Sequence, residues 1–132
     1  DDSMIGVENI LAIPHLGAST PESEDNCAVM AVDQLKDYLE NGNILNSVNL
    51  PNLSMARDSG TTRLCLIHKN VPNTIAMFAA ACGEAGMNIE NMQSKSRGEY
   101  AYTILDVSGD VTPAAADTLR ALDPIVKVRV LP

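Results

Sequence analysis

His68, Asn70 and Asn88 are the residues whose types and spacing could do chemistry in this 132-residue chain. They lie in "RLCLIHKNVPNTIAMFAAACGEAGMNIENM", residues 63–92. An alternating apolar run from Arg63 to Ile67 arrives at His68. Lys69-Asn70-Val71-Pro72 then leads into a helical pattern, Gly86 ends it, and Asn88 opens a second extended run. The opening turn of a helix leaves backbone N–H groups without partners and carries partial positive charge, which suits a carboxylate. An asparagine beside it offers both a donor and an acceptor. A small-molecule site is one reading of this pattern; from spacing alone the plain structural readings outweigh it. Each residue also has a plain structural reading: Asn70 as an N-cap, His68 as a solvent-exposed strand end, Asn88 as a turn residue after Gly86.

The elements that would position these residues follow from the same stretch and its continuation. Arg63–His68 reads as a strand. Ile75, Phe78, Ala79 and Cys82 mark one face of a short helix that Gly86 caps. Asn88–Ser96 is a mostly polar strand, Arg97-Gly98-Glu99 a tight turn, and Tyr100–Val107 its hairpin partner. Thr112 caps and Pro113 starts another helix, with Ala115, Leu119 and Leu122 inward. In Ile125–Leu131 the valines 126, 128 and 130 alternate with Lys127 and Arg129, as in a half-buried strand. The order βαββαβ packs most simply as one antiparallel sheet with two helices on one face, the ferredoxin-like arrangement of an α+β fold. Its second strand is then a sheet edge, and a second subunit docked there would bring its Asn88 towards the His68–Asn70 loop.

Upstream, "ILAIP", residues 10–14, has the length of a strand, and "HLGAST", 15–20, reads as a loop. Thr20, Pro21, Glu22 and Glu24 form a helix start. Cys27, Ala28, Ala31, Leu35, Tyr38 and Leu39 recur at helical spacing until Asn41-Gly42 stops the helix. "SVNLP", 47–51, is a brief extended segment. Residues 53–61, polar and containing a glycine, read as a linker. The division is thus 1–52, 53–61 and 62–132.

The net charge of −8 argues against nucleic acid and anionic membrane surfaces as partners. No apolar run approaches the roughly 18–20 residues of a spanning helix. No secretory leader opens the chain, and its start without Met is what a cut chain would show. Cys27, Cys65 and Cys82 are odd in number and sit in apolar patterns, so the expectation is reduced core thiols in a cytoplasmic protein. The two histidines have no Cys or His at a ligand spacing, so no metal site is expected.

Residues 62–132 resemble an ACT domain, the small amino-acid-sensing module of metabolic enzymes. More narrowly, "IPHLGASTPESEDN" resembles the catalytic-histidine segment of the phosphoglycerate dehydrogenase family, within the D-isomer-specific 2-hydroxyacid dehydrogenases. "NGNILNSVNLP" resembles that family's return into its substrate-binding domain. The resemblance covers essentially the whole chain. It implies a C-terminal fragment: a strand–helix remnant of the dehydrogenase catalytic domains, then an ACT domain.

The resemblance also implies roles. The family oxidises 3-phosphoglycerate with NAD, and L-serine inhibits many members by binding between paired ACT domains. His15 matches the general acid/base. His68 and Asn70 match the serine-contacting pair of one subunit, and Asn88 the asparagine its neighbour supplies. Two departures stand out. Serine-sensing members often carry Arg-Pro-Gly where this chain has Val71-Pro72-Asn73, and Asn73 adds a side chain where glycine leaves room. No G-x-G-x-x-G follows a strand, and of the family's catalytic set only His15 is present, so no cofactor is expected to bind and no dehydrogenase activity is expected of this chain alone. The expected function is amino-acid sensing and homo-oligomer formation through the ACT sheets; the alternative is a structural dimerisation module without an effector.

Overall fold

The computed structural model describes residues 2–132. The chain divides into two compact units, residues 1–33 and 34–132. In the first, a short 3-10 turn at Asp2–Met4 precedes irregular chain, and helix α1 (Pro21–Asn41) begins. Its start is capped as its sequence predicts: Thr20 Oγ1 accepts from the Ser23 amide at 3.2 Å. Residues 10–14 form no strand, and Leu11 and Ile13 are largely exposed. This corrects the strand expectation for "ILAIP". A strand needs a neighbour for its backbone groups, and none of the described strands pairs with this run. Cys27 is exposed, correcting its expected place in a core. Ala31 and Leu35 of the same stripe are exposed too, and Tyr38 is half-buried.

The second unit holds the sheet. Its elements are β1 (Thr62–Lys69), α2 (Thr74–Glu84), β2 (Asn88–Arg97), β3 (Tyr100–Ser108), α3 (Pro113–Arg120) and β4 (Ile125–Leu131). The strand order is β2-β3-β1-β4 with every pair antiparallel. That is the ferredoxin-like βαββαβ topology, and β2 is an edge as its polar sequence predicts. Arg97 pairs with Tyr100 across a two-residue turn whose first position, Gly98, takes the positive φ of 62° that such turns demand. Thr112 caps α3 by accepting from the Ala115 amide at 3.2 Å, with Pro113 in the first turn. After α2, Gly86 takes φ 73° and the Met87 amide reaches back to the Cys82 carbonyl at 2.9 Å, closing the helix as its glycine predicts.

Both helices lie on one face. Leu64 and Leu66 of β1, Leu105 and Val107 of β3 and Val128 of β4 pack with Phe78, Cys82, Ala115 and Leu119. The buried side of α2 is Thr74, Phe78, Ala81 and Cys82, one position round from the expected stripe, leaving Ile75 and Ala79 exposed. In β4 only Val128 is fully buried and Val126 is exposed, as befits the other sheet edge.

The opposite face is covered by chain rather than by helices. Ile44, Leu53 and Met55 pack on Cys65, Tyr102 and Ile104. Ile44 and Leu53 pair through two backbone hydrogen bonds of 2.8 and 2.9 Å. Arg63 fastens this layer from beneath. Its Nη1 donates to the Asn41 and Met55 carbonyls and its Nη2 to the Ala56 carbonyl, at 2.8–2.9 Å, while Nε and Nη2 also bind the Asp106 carboxylate. All five guanidinium donors are thereby used. Residues 53–56 are part of this packing, although the polar sequence around them reads as a linker. "SVNLP" bends at Val48–Leu50 rather than running extended.

Candidate functional site

Beyond Phe78, towards the carboxyl end of β1, the helix-covered face turns from apolar to polar. His68, the residue before the last of β1, lies there and is buried, at 3% exposure. Its ring meets Phe78 edge-on, with centroids 5.0 Å apart. The reading of His68 as a solvent-exposed strand end is corrected: sheet alternation continues the Leu64–Leu66 series inward and carries the imidazole under α2. Nδ1 lies 2.9 Å from the Lys69 carbonyl and Nε2 2.8 Å from Thr103 Oγ1. Thr103, fully buried, in turn lies 2.7 Å from Ser94 Oγ on β2.

In front of this chain of hydrogen bonds is an open cavity of about 220 Å³. Its walls include His68, Asn70, Asn73, Thr74, Ser94 and Ser96. The volume matches a molecule of a few heavy atoms with its water. Asn70 stands at the rim. Its amide donates to the Gly98 carbonyl at 3.2 Å, and its backbone N–H to the Glu99 carbonyl at 2.8 Å. Asn70 is therefore not the cap of α2, a second correction; it ties the β1–α2 loop to the β2–β3 turn. The cap position belongs to Asn73, which has left-handed backbone (φ 66°) and makes no side-chain capping bond. Left-handed backbone explains why glycine suits this position. The opening N–H groups of α2 thus gain no bond from the Asn73 side chain, and Thr74 and Ile75 of that turn line the cavity. Thr74 turns its hydroxyl back to the Val71 carbonyl at 2.8 Å.

Asn88 lies elsewhere on its own chain. It starts β2 opposite Ser108, whereas the cavity is lined by the other end of that strand. Six residues separate Asn88 from Ser94, about 20 Å of extended chain. Its amide donates to Glu90 Oε1 at 2.8 Å, and Ser108 Oγ donates to the same oxygen at 2.5 Å. These two bonds, Ser108 first, hold the Glu90 carboxyl below its usual range. His15 belongs to the first unit, in the exposed loop before α1. Sequence reasoning placed His68 and Asn70 at one site but missed Ser94, Ser96 and Thr103. Their signal was present in the period-2 pattern: Ser94 and Ser96 alternate along β2 on the face that Thr103 shares.

Among the described residues, no group of three or more His, Cys, Asp or Glu side chains is placed to hold a metal ion, and no helix is long and apolar enough to cross a membrane. The sheet has only antiparallel pairs. The parallel strand–helix crossover that seats a dinucleotide on a glycine-rich turn is not found among the described residues.

The topology is that of a ferredoxin-like α+β domain, compatible with the ACT type. The sequence relatives agree with the resemblance read from its motifs. The chain is related over nearly all its length to D-3-phosphoglycerate dehydrogenases: it is 30% identical over 124 residues to that enzyme of Haemophilus influenzae, covering 94% of this chain and 30% of the relative. It is 29% identical over 126 residues to the Escherichia coli K12 enzyme, with the same coverage. It is 32% identical over 109 residues to D-3-phosphoglycerate dehydrogenase 2 of Saccharomyces cerevisiae, covering 80% of this chain and 23% of the relative. The chain thus spans less than a third of the length of these relatives. No family model matches it.

Proposed function

We propose that this chain is the C-terminal regulatory part of a cytoplasmic, NAD-dependent D-3-phosphoglycerate dehydrogenase, and that its ACT domain binds a small amino acid, L-serine first among them, and joins subunits. The observation that carries the reading is the cavity of about 220 Å³ that gathers His68, Asn70 and the uncapped start of α2 at one end of the sheet. The helix terminus suits a carboxylate, and Asn70 and the serine hydroxyls supply neutral hydrogen bonds.

Edge strand β2 supports the second half. Its residues 90–97 are all exposed, and an open edge presents unpaired backbone groups that invite another strand. Two β2 strands paired antiparallel about their midpoint set residue 88 of one copy beside residue 97 of the other. That register would set the partner's Asn88 at the end of β2 that borders the cavity, although Asn88 is remote within its own chain. His15 would serve as general acid/base only with the rest of an active site that these residues do not supply.

Calorimetry of L-serine against this chain, Asn70→Ala and Asn88→Ala is the test. Each lost hydrogen bond is worth about 0.5–1.5 kcal/mol, more where one partner is charged, so each variant should bind about tenfold more weakly or worse. Sedimentation should give a dimer mass at micromolar concentration. A dimer that binds neither serine nor glycine at millimolar concentration would reduce the reading to a structural interface.

A further inference from the structure

The hydrogen-bond chain behind the cavity has a direction, and the direction follows from which atoms can donate. Lys69 offers His68 Nδ1 a carbonyl oxygen at 2.9 Å, which can only accept. Nδ1 therefore carries the ring proton. In the neutral imidazole Nε2 is then bare and must accept from Thr103, whose Oγ1 is 2.8 Å away. The Thr103 hydroxyl has one proton. Having given it to His68, its oxygen must accept from Ser94 Oγ at 2.7 Å. Ser94 in turn spends its only proton inward. What its oxygen has left for the cavity is lone pairs.

We infer that the Ser94–Thr103–His68 chain fixes Ser94 as a hydrogen-bond acceptor in the cavity wall, and that it selects ligands bearing the ammonium group of an α-amino acid over carboxylic acids that lack that group. The inference rests on the amino-acid reading above and deepens it. The cavity then has two poles. The start of α2, uncapped by Asn73, draws the carboxylate, and Ser94 draws the ammonium. A free serine hydroxyl could turn its proton outward and serve either kind of ligand. Ser94 cannot do so without breaking its bond to Thr103, whose side chain is fully buried. His68, itself buried against Phe78, anchors the chain without touching the ligand's ammonium group. Thr103 and His68 are positioning residues in this scheme, and Ser94 is the contact.

Two measurements test it. The first needs no ligand: the ¹⁵N shifts of His68 at pH 8 should show a protonated Nδ1 and a bare Nε2, and the opposite tautomer would overturn the chain's direction. The second compares L-serine with 3-hydroxypropanoate, the same skeleton without the ammonium group, by calorimetry on this chain, Ser94→Ala and Ser94→Thr. Ser94 stands on an exposed edge strand, so both variants should keep the circular dichroism of the parent. Ser94→Ala should lose about tenfold or more in L-serine affinity with little change for 3-hydroxypropanoate, and Ser94→Thr should restore the preference. Equal L-serine binding by the parent and Ser94→Ala would overturn this inference while leaving the amino-acid site intact. Absence of L-serine binding by the parent would remove the amino-acid reading and this inference with it.

Discussion

Arg63 and Asp106 meet side by side on β1 and β3, with Nε 2.7 Å from Oδ1 and Nη2 2.8 Å from Oδ2, both side chains out of contact with solvent. The bond to Asp106 holds the Arg63 guanidinium above its usual pKa. The remaining donors of Arg63 bind the carbonyls of Asn41, Met55 and Ala56, so one side chain both neutralises a buried acid and fastens the covering segment to the sheet. Asp106→Ala should cost about 3–5 kcal/mol, the usual penalty for leaving a buried charge unpaired. Denaturant unfolding followed by circular dichroism measures it. The double variant Arg63→Met/Asp106→Leu removes both charges but still strands the three carbonyls, so it should recover only part of the loss. It should also open residues 41–56 to proteolysis.

Gly42 should tolerate no side chain. Its φ is 75°, and a Cβ built there would overlap Cys65 Sγ, with Tyr102 Oη close behind. Tyr102 Oη also donates to the Gly42 carbonyl at 2.6 Å, so the glycine cannot withdraw without breaking a buried bond. Left-handed backbone costs an ordinary residue about 1–2 kcal/mol, and overpacking adds about 1–3 kcal/mol. Gly42→Ala should therefore lower stability by about 2 kcal/mol or more, read as a fall in the denaturation midpoint. The same substitution at Gly17, where a Cβ would meet open space, should change stability by less than about 0.5 kcal/mol.

Stability should fall with alkali. Burial, first among the causes, pushes the thiols of Cys65 and Cys82 and the phenol of Tyr102 above their usual pKa values. The unfolded chain, with ordinary thiols near pH 8.5 and phenols near 10, then releases protons that the folded chain still holds. Stability contributed by these groups is complete below about pH 8 and is lost progressively above it. Denaturant midpoints at pH 7, 9 and 10 should decline in that order. Thiol alkylation at pH 8, followed by mass spectrometry, should modify exposed Cys27 readily and leave Cys65 and Cys82 unmodified until denaturant is added.

The strands and helices of residues 62–132 were legible because their signals are local: period-2 alternation, Thr112-Pro113, Gly86 and the Gly98 turn. The lower face of the sheet was not. Ile44, Leu53 and Met55 are buried by contact with residues remote in sequence, and polar neighbours such as Asn52 and Ser54 mask their alternation. "ILAIP" misled for the converse reason, since an apolar run has strand length whether or not a neighbour exists to pair with it. At the site, spacing located His68 and Asn70. The depth of His68 depended on the sheet's facing, and its link to Ser94 crosses three strands, which no single stretch of sequence displays.

Asn73 offers the sharpest separation of backbone from side-chain effects at the cavity. It holds left-handed backbone at φ 66°, caps nothing, and lines the cavity wall. Glycine takes this conformation freely, asparagine with modest strain, and alanine at a cost of about 1–2 kcal/mol. Asn73→Ala should thus be less stable than Asn73→Gly by about 1 kcal/mol, and Asn73→Gly should match or exceed the parent in thermal melts. For binding the order changes. Both variants clear the asparagine side chain from the cavity, but only glycine preserves the loop that presents the start of α2. L-serine should bind Asn73→Gly more tightly than the parent if the amide occupies ligand space, with Asn73→Ala falling behind Asn73→Gly. Weaker binding in Asn73→Gly would instead show that the Asn73 amide is itself a ligand contact, and titration of the three chains under one buffer distinguishes the two.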